Sequence, residues 1–253
     1  MTAPRPTVQF SDAGEAADLT AYLARLIHYD RAAAVRLQAA GSTLGVFGRP
    51  ASFEVLAIRT ARLAKPYQDG LDETLDVTVS AGDLLEAVDE RAATAIVPVA
   101  VTGPPWAGVL PPRGGWQQEP GLPAPGALRG LVAGVVAEFR TRTAELPPDR
   151  RTRTELDRIG HDIWSRPVGD TDLPVRAAHA AHALGFLREP GTGRSPDDSS
   201  PASATPAPAA PGQPAPVAVA LLASGAWLRL RTPHGSIAVR RPGARSTLSL
   251  TPT

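Results

Sequence analysis

Two hydrophobic periods alternate along this chain, and each change of period marks a new element. Val8 to Phe10 is a short apolar run, read as a strand. Asp12 follows as a helix cap, with Glu15 three residues on as the reciprocal partner of a capping box. Ala16, Leu19, Leu23, Leu26 and Ile27 then recur at three- and four-residue spacing, the apolar stripe of one helix. Beyond Asp30 the period drops to two. Val35, Leu37 and Ala39 alternate with Arg36 and Gln38, and Gly41-Ser42 turns the chain into a strand over Thr43 to Phe47. Phe53 to Ile58, apolar on both faces, predicts a central strand, and Leu75, Val77 and Val79 predict another half-buried one. Ser80 caps a second helix bearing Leu84, Leu85 and Val88. Ile96 to Val101 closes the unit, with Pro98 forcing that run to an edge or a bulge.

The next hundred residues read differently. Leu128, Leu131, Val132, Val135, Val136 and Phe139 form a long amphipathic stripe that ends at Pro147-Pro148. Leu156, Ile159 and Ile163 mark a second helix, stopped at Arg166-Pro167. Asp172 is expected to cap a third, with Pro174 in its first turn and Gly185 as its left-handed terminator. Period two returns in Val217 to Ala223, Ala226 to Arg231 and Ser236 to Arg240, three short strands. Leu228, Leu230, Ile237 and Val239 fall on one face of them, and Trp227, Arg229, Arg231 and Arg240 on the other.

Proline divides these regions. Of the 27 prolines in 253 residues, many crowd into Gly103 to Gly126 and Pro190 to Pro216, where each removes a backbone donor and fixes φ. The organisation that follows is an α+β domain over 1–103, a Pro/Gly/Trp strap over 104–126 and a helical domain over 127–188. A disordered linker over 189–216 and a β-segment over 217–253 complete it. The fold class is therefore α+β: an N-terminal antiparallel-sheet domain with two helices, then a three-helix unit and a C-terminal three-stranded β-segment. That last segment is too small to stand alone and is expected to join one of the two domains or another chain.

Composition narrows the chemistry. Cysteine is absent, which excludes disulfides, thiolate catalysis and Cys-type zinc sites. The formal net charge is +1, so no bulk attraction to polyanions or membranes is expected. Charge is uneven, however: residues 217–253 carry five arginines and no acid. Lys65 is the only lysine and asparagine is missing, the bias of a high-GC bacterial genome, in which arginine replaces lysine generally. Residues 1–7 have no long apolar run, and no window reaches the ~18 apolar residues of a membrane span. A cytoplasmic protein without membrane contact is the expectation.

Motifs for catalysis are weak. Ser42, Ser80 and Ser224 sit in turns or caps rather than in a nucleophile elbow. Gly41 to Gly48 lacks the ending of a phosphate loop. The acidic run Asp69, Asp72, Glu73 and Asp76 lacks the calcium-loop pattern and reads as a solvated loop. His179 and His182 lie three apart on a helix, a spacing open to metal, but they share that face with Val175 and Phe186 and read as packing residues. His28 sits at a helix end and His234 in a turn. Gly130 and Gly134 allow a close helix crossing. No catalytic, cofactor-binding or metal residue is assigned, and no cofactor is expected.

Tryptophan and arginine supply the sharper signal. Trp106 and Trp116 lie in the strap, which is expected to rest against a surface because exposed indole is costly. Together with Trp227, Arg229, Arg231 and Arg240 they form the candidate interaction surface.

Two family resemblances accompany these patterns. The order strand, helix, antiparallel strands, short helix over residues 8–90 resembles half of a DNA sliding-clamp domain. The second helix, with Asp83, Glu86, Asp89 and Glu90, departs from the basic helices of clamps, so only a topology is implied. Three helices and a hairpin over 127–240 resemble a winged helix, which implies DNA contact through the Arg/Trp strands. The leading expectation is a non-catalytic intracellular interaction or scaffold protein, with a protein partner or self-association. A winged-helix-like DNA-binding protein is the alternative, and an enzyme of unknown class the third.

Overall fold

A computed structural model describes residues 5–69, 73–188 and 218–241. The expected linker over 189–216, Asp72 of the acidic run and the last residues of the β-segment lie outside them. The chain begins with β1 (Thr7–Gln9), α1 (Ala13–Tyr29), β2 (Ala34–Ala40), β3 (Thr43–Gly48), β4 (Leu56–Arg62) and β5 (Thr74–Ser80). Next come α2 (Ala81–Ala87), β6 (Val88–Asp89), β7 (Thr94–Ile96) and β8 (Gln117–Glu119). The helices α3 (Pro125–Ala144), α4 (Arg153–Trp164) and α5 (Val175–Ala183) follow, then β9 (Ala220–Ser224), β10 (Trp227–Thr232) and β11 (Gly235–Arg240). The architecture is α+β, with five α-helices among the described residues, as the periodicities indicate.

The C-terminal strands find their partner in the N-terminal sheet. One antiparallel sheet of eight strands runs in the order β5-β2-β3-β4-β11-β10-β9-β8, joined where Ser236, Ile237 and Ala238 of β11 pair with Ile58, Ala57 and Leu56 of β4. A separate three-stranded sheet, β1-β7-β6, flanks it. The register divides the side chains as period two requires. Leu37, Val46, Ala57, Ile237, Leu228 and Leu230 face inward, and Arg36, Phe47, Ile58, Ala238 and Arg229 face outward.

α1 and α5 pack on the inner face, α3 packs on α5, and a continuous buried cluster includes residues from 8 to 239. α1 comes so near β3 that a Cβ on Gly48 would lie 2.6 Å from the Tyr22 hydroxyl. That hydroxyl donates to Ala57 O at 3.4 Å, and burial pushes its pKa up. One charged knot sits among these apolar groups. Arg59 of β4 donates to Glu15 Oε2 at 3.1 Å and Asp18 Oδ2 at 3.0 Å on α1, and to His234 O at 3.1 Å in the β10–β11 turn. Arg188, just past α5, donates to the other oxygen of Asp18.

Local details depart from the sequence reading for physical reasons. Asp12 does cap α1 through Glu15 N–H, but the Glu15 carboxylate turns to Arg59 and Arg62 instead of back to the cap. The strand expected from Phe53 begins only at Leu56, because Ala51–Phe53 forms a 3-10 turn and Glu54 adopts φ 53°. Pro174, not Asp172, occupies the cap position of α5, and Gly185 ends the turn after it at φ 77°. Of the closing run expected over Ile96 to Val101, only Ile96 belongs to a strand, the last residue of β7 (Thr94–Ile96), which pairs with β1.

Candidate binding groove between strap and sheet

Among the described residues the strap, not an α-helix, lies over the outer face of the sheet. It starts at one sheet edge and finishes at the other. Val101 N–H donates to Thr78 O on β5 at 2.9 Å, a 3-10 turn over Pro105–Gly108 crosses the middle, and β8 pairs with β9 at the far side. Trp106 anchors the crossing. It packs with Leu110 and Trp227 on a small cluster of Phe47, Leu56, Ile58 and Ala238. Arg36 donates to Ala107 O, and Ser224 Oγ donates to Gly114 O at 3.2 Å. The strap thus rests on a surface, as its two indoles suggest.

Beside this anchor a groove of about 410 Å³ stays open. Its floor is Gly45, Phe47, Ile58 and Thr60, one wall is Gln38, Thr74 and Asp76, and the other is Pro111, Pro112, Arg113 and Arg229. Asp76 is not a free anion. Arg36 holds both its oxygens, at 2.7 and 2.8 Å, and Gln38 adds a third bond at 3.1 Å. The Arg36 hydrogen bonds hold this carboxyl below the usual aspartate range, with Arg113 nearby reinforcing the effect.

Among the described residues Arg229 has no such counterion. Its guanidinium lies 5.7 Å from the Trp116 ring centroid, and the Trp116 indole N–H is used on Pro112 O at 3.0 Å. The Arg229 Nε is shielded from solvent and has no hydrogen-bond partner among the described residues. Burial, and secondarily the charge of Arg231, pushes its pKa down. Arg231 Nε is shielded and unpartnered in the same sense. Arg240 lies over Trp227 at 5.0 Å. Both cations of β10 therefore carry donor capacity that these residues do not use.

The six residues singled out in the sequence all lie in the strap or on the outward face beneath it. Trp106 and Trp227 share the anchoring cluster, while Arg229, alone of the six, lines the groove. The sequence reading missed Arg36, Gln38 and Thr60. Their strand parity is the same signal that separated Arg229 from Leu230. His179 is engaged by rings rather than by His182: it stacks on Trp164 at 4.7 Å and meets the edge of Phe53 at 5.0 Å. Among the described residues no three His, Cys, Asp or Glu side chains are grouped to hold a metal, and no helix is long and apolar enough to cross a membrane.

The strap also marks a family boundary. Residues 3–108 match the Domain of unknown function (DUF8010), and residues 111–244 match the Domain of unknown function (DUF8185). The second match spans more than half of the chain, which therefore belongs to the DUF8185 family. No curated protein and no solved structure matches it. The groove draws its floor from the first matched segment and Arg113 and Arg229 from the second.

Proposed function

We propose that this chain is a non-catalytic cytoplasmic interaction protein whose outer sheet face takes up an acidic segment of a protein partner. One carboxylate of that segment seats against Arg229 in the groove. The observation that carries the reading is that Arg229 lines the groove with a desolvated Nε and, among the described residues, without the carboxylate partner that Arg59 has. A buried donor left without an acceptor costs about 1–3 kcal/mol, so a site that retains one is suited to an incoming anion. Arg113 in the groove and Arg231, outside it and two residues further along β10, continue the positive row beside Arg229, and the Thr60 and Thr74 hydroxyls of the groove suit a peptide backbone better than a bare ion.

Duplex DNA offers the same charge. A winged helix, however, presents its hairpin free at the protein surface, whereas here β11 is bonded to β4, β10 to β9, and the strap lies across the face. This favours a peptide. Fluorescence anisotropy with a labelled Asp/Glu-rich peptide tests it. Salt-dependent binding is expected, lost in Arg229→Met/Arg231→Met and absent for the matching Gln-rich peptide. No binding at low salt, or tighter binding of duplex DNA, would overturn the reading.

A further inference from the structure

A second cavity lies on the other side of the molecule's sheet, between the 3-10 turn over Ala51–Phe53 and the helices α4 and α5. It has a volume of about 750 Å³, within the usual range for small-molecule sites. Its walls are unusually aromatic for a chain in which only 5% of residues are Phe, Trp or Tyr. Tyr29 meets Phe53 at 5.1 Å, Phe53 meets His179 at 5.0 Å, His179 stacks on Trp164 at 4.7 Å, and Trp164 leans on Phe139 at 5.6 Å. Gly160 keeps this wall close, since a Cβ there would lie 3.3 Å from the Trp164 indole nitrogen.

The polar groups of the cleft are mostly donors. Arg176, on the first turn of α5, lines it, and its Nε is closed to solvent with no acceptor among the described residues. The other guanidinium of the cleft, Arg153, is held by Asp157 at 3.1 Å. Glu54 lies exposed at the rim. His179 is pushed below the ordinary imidazole range, first by burial and then by His182, which keeps the ring neutral inside the wall. The cleft thus combines flat apolar surfaces with one unanswered cation, and it lacks a committed anion on that side.

We propose that this cleft is a second binding site, for a small planar aromatic carboxylate whose ring lies against the Phe53–Trp164 wall and whose acid group accepts from Arg176. The requirement is double. A ring without the acid leaves Arg176 unsatisfied, and an acid without the ring leaves the aromatic wall in water.

Isothermal titration calorimetry of the full chain with 2-naphthoate tests both requirements. Naphthoate should bind, while 2-naphthylmethanol, which lacks the charge-assisted hydrogen bond, and cyclohexanecarboxylate, which lacks the aromatic contact and part of the apolar area, should each bind at least about tenfold more weakly. Arg176→Gln should lower naphthoate affinity by about tenfold or more. Should that variant unfold, Ala51→Trp at the exposed rim decides, because it fills the mouth without touching Arg176 and should abolish binding. Arg229→Met should leave this affinity unchanged, which separates the cleft from the strap groove. Absence of naphthoate binding at millimolar concentration, or binding indifferent to Arg176→Gln and Ala51→Trp, overturns the proposal.

Discussion

Arg59 on β4 and Arg229 on β10 belong to one sheet, project from opposite faces and stand in opposite circumstances. Arg59 is 8% exposed and, although its Nε also lacks a hydrogen-bond partner among the described residues, it is met by two carboxylates and a carbonyl, so its charge is balanced inside the fold. Arg229 is half-buried, lies 5.7 Å from the Trp116 ring centroid and has no carboxylate partner among the described residues. The inner arginine does structural work, linking α1 to β4 and to the turn of the C-terminal hairpin. The outer one adds a desolvation cost for which the fold shows no return. A difference of this kind separates a charge kept for stability from one kept for a partner.

The largest test of this contrast is removal of the inner charge. Arg59→Ala leaves Glu15 and Asp18 short of their main counterion and should lower unfolding free energy by about 3–5 kcal/mol in urea. A loss below about 1 kcal/mol would mean that Arg62 and Arg188 suffice without it. Next comes the strap. Trp106→Ala removes its anchor from the Leu56–Ile58–Ala238 cluster and should cost about 2 kcal/mol. It should also expose the strap to proteolysis between Gly103 and Gly126, and unchanged protection would show that the main-chain bonds at Thr78 and β9 hold it alone.

A smaller effect should appear with pH. His234 and His179 both titrate below the ordinary imidazole value of 6.5, chiefly through burial, with Arg188 adding to the first and His182 to the second. With a depressed folded pKa, the unfolded chain binds protons first. Stability is therefore complete above about pH 6.5 and declines as pH falls toward the folded values. His179→Gln should flatten part of that decline, and an unchanged pH profile would show that its burial is not felt thermodynamically.

Much of the sheet was legible in the sequence because period two survives at strand after strand. The division of Leu228, Leu230, Ile237 and Val239 from Trp227, Arg229, Arg231 and Arg240 needs nothing more than alternation, and the register bears it out. What alternation cannot give is pairing across long stretches of chain. Nothing local to Ser236–Ala238 names Leu56–Ile58 as its neighbour, since that choice depends on the shared inner core. The groove was hidden for the same reason. Gln38, Arg113 and Arg229 are scattered in sequence, and only the strap's path brings them around one groove. The paired tryptophans announced that the strap would lie on something, but not on what. Capping was read at the right place for α1 and α2, but two residues early for α5, where Pro174 and not Asp172 takes the cap position, and for α1 partly with the wrong partner. Glu15 had a stronger claim from two arginines than from its own helix end.

The central claim is that Arg229 is retained for an incoming anion and not for the fold, and equilibrium unfolding of Arg229→Met in urea tests it most directly. The variant removes a desolvated cation while keeping apolar bulk against Trp116, so its unfolding free energy should equal or exceed that of the parent protein. A loss of more than about 1 kcal/mol, beyond what a single cation–π contact supplies, would contradict the account and make Arg229 a structural residue.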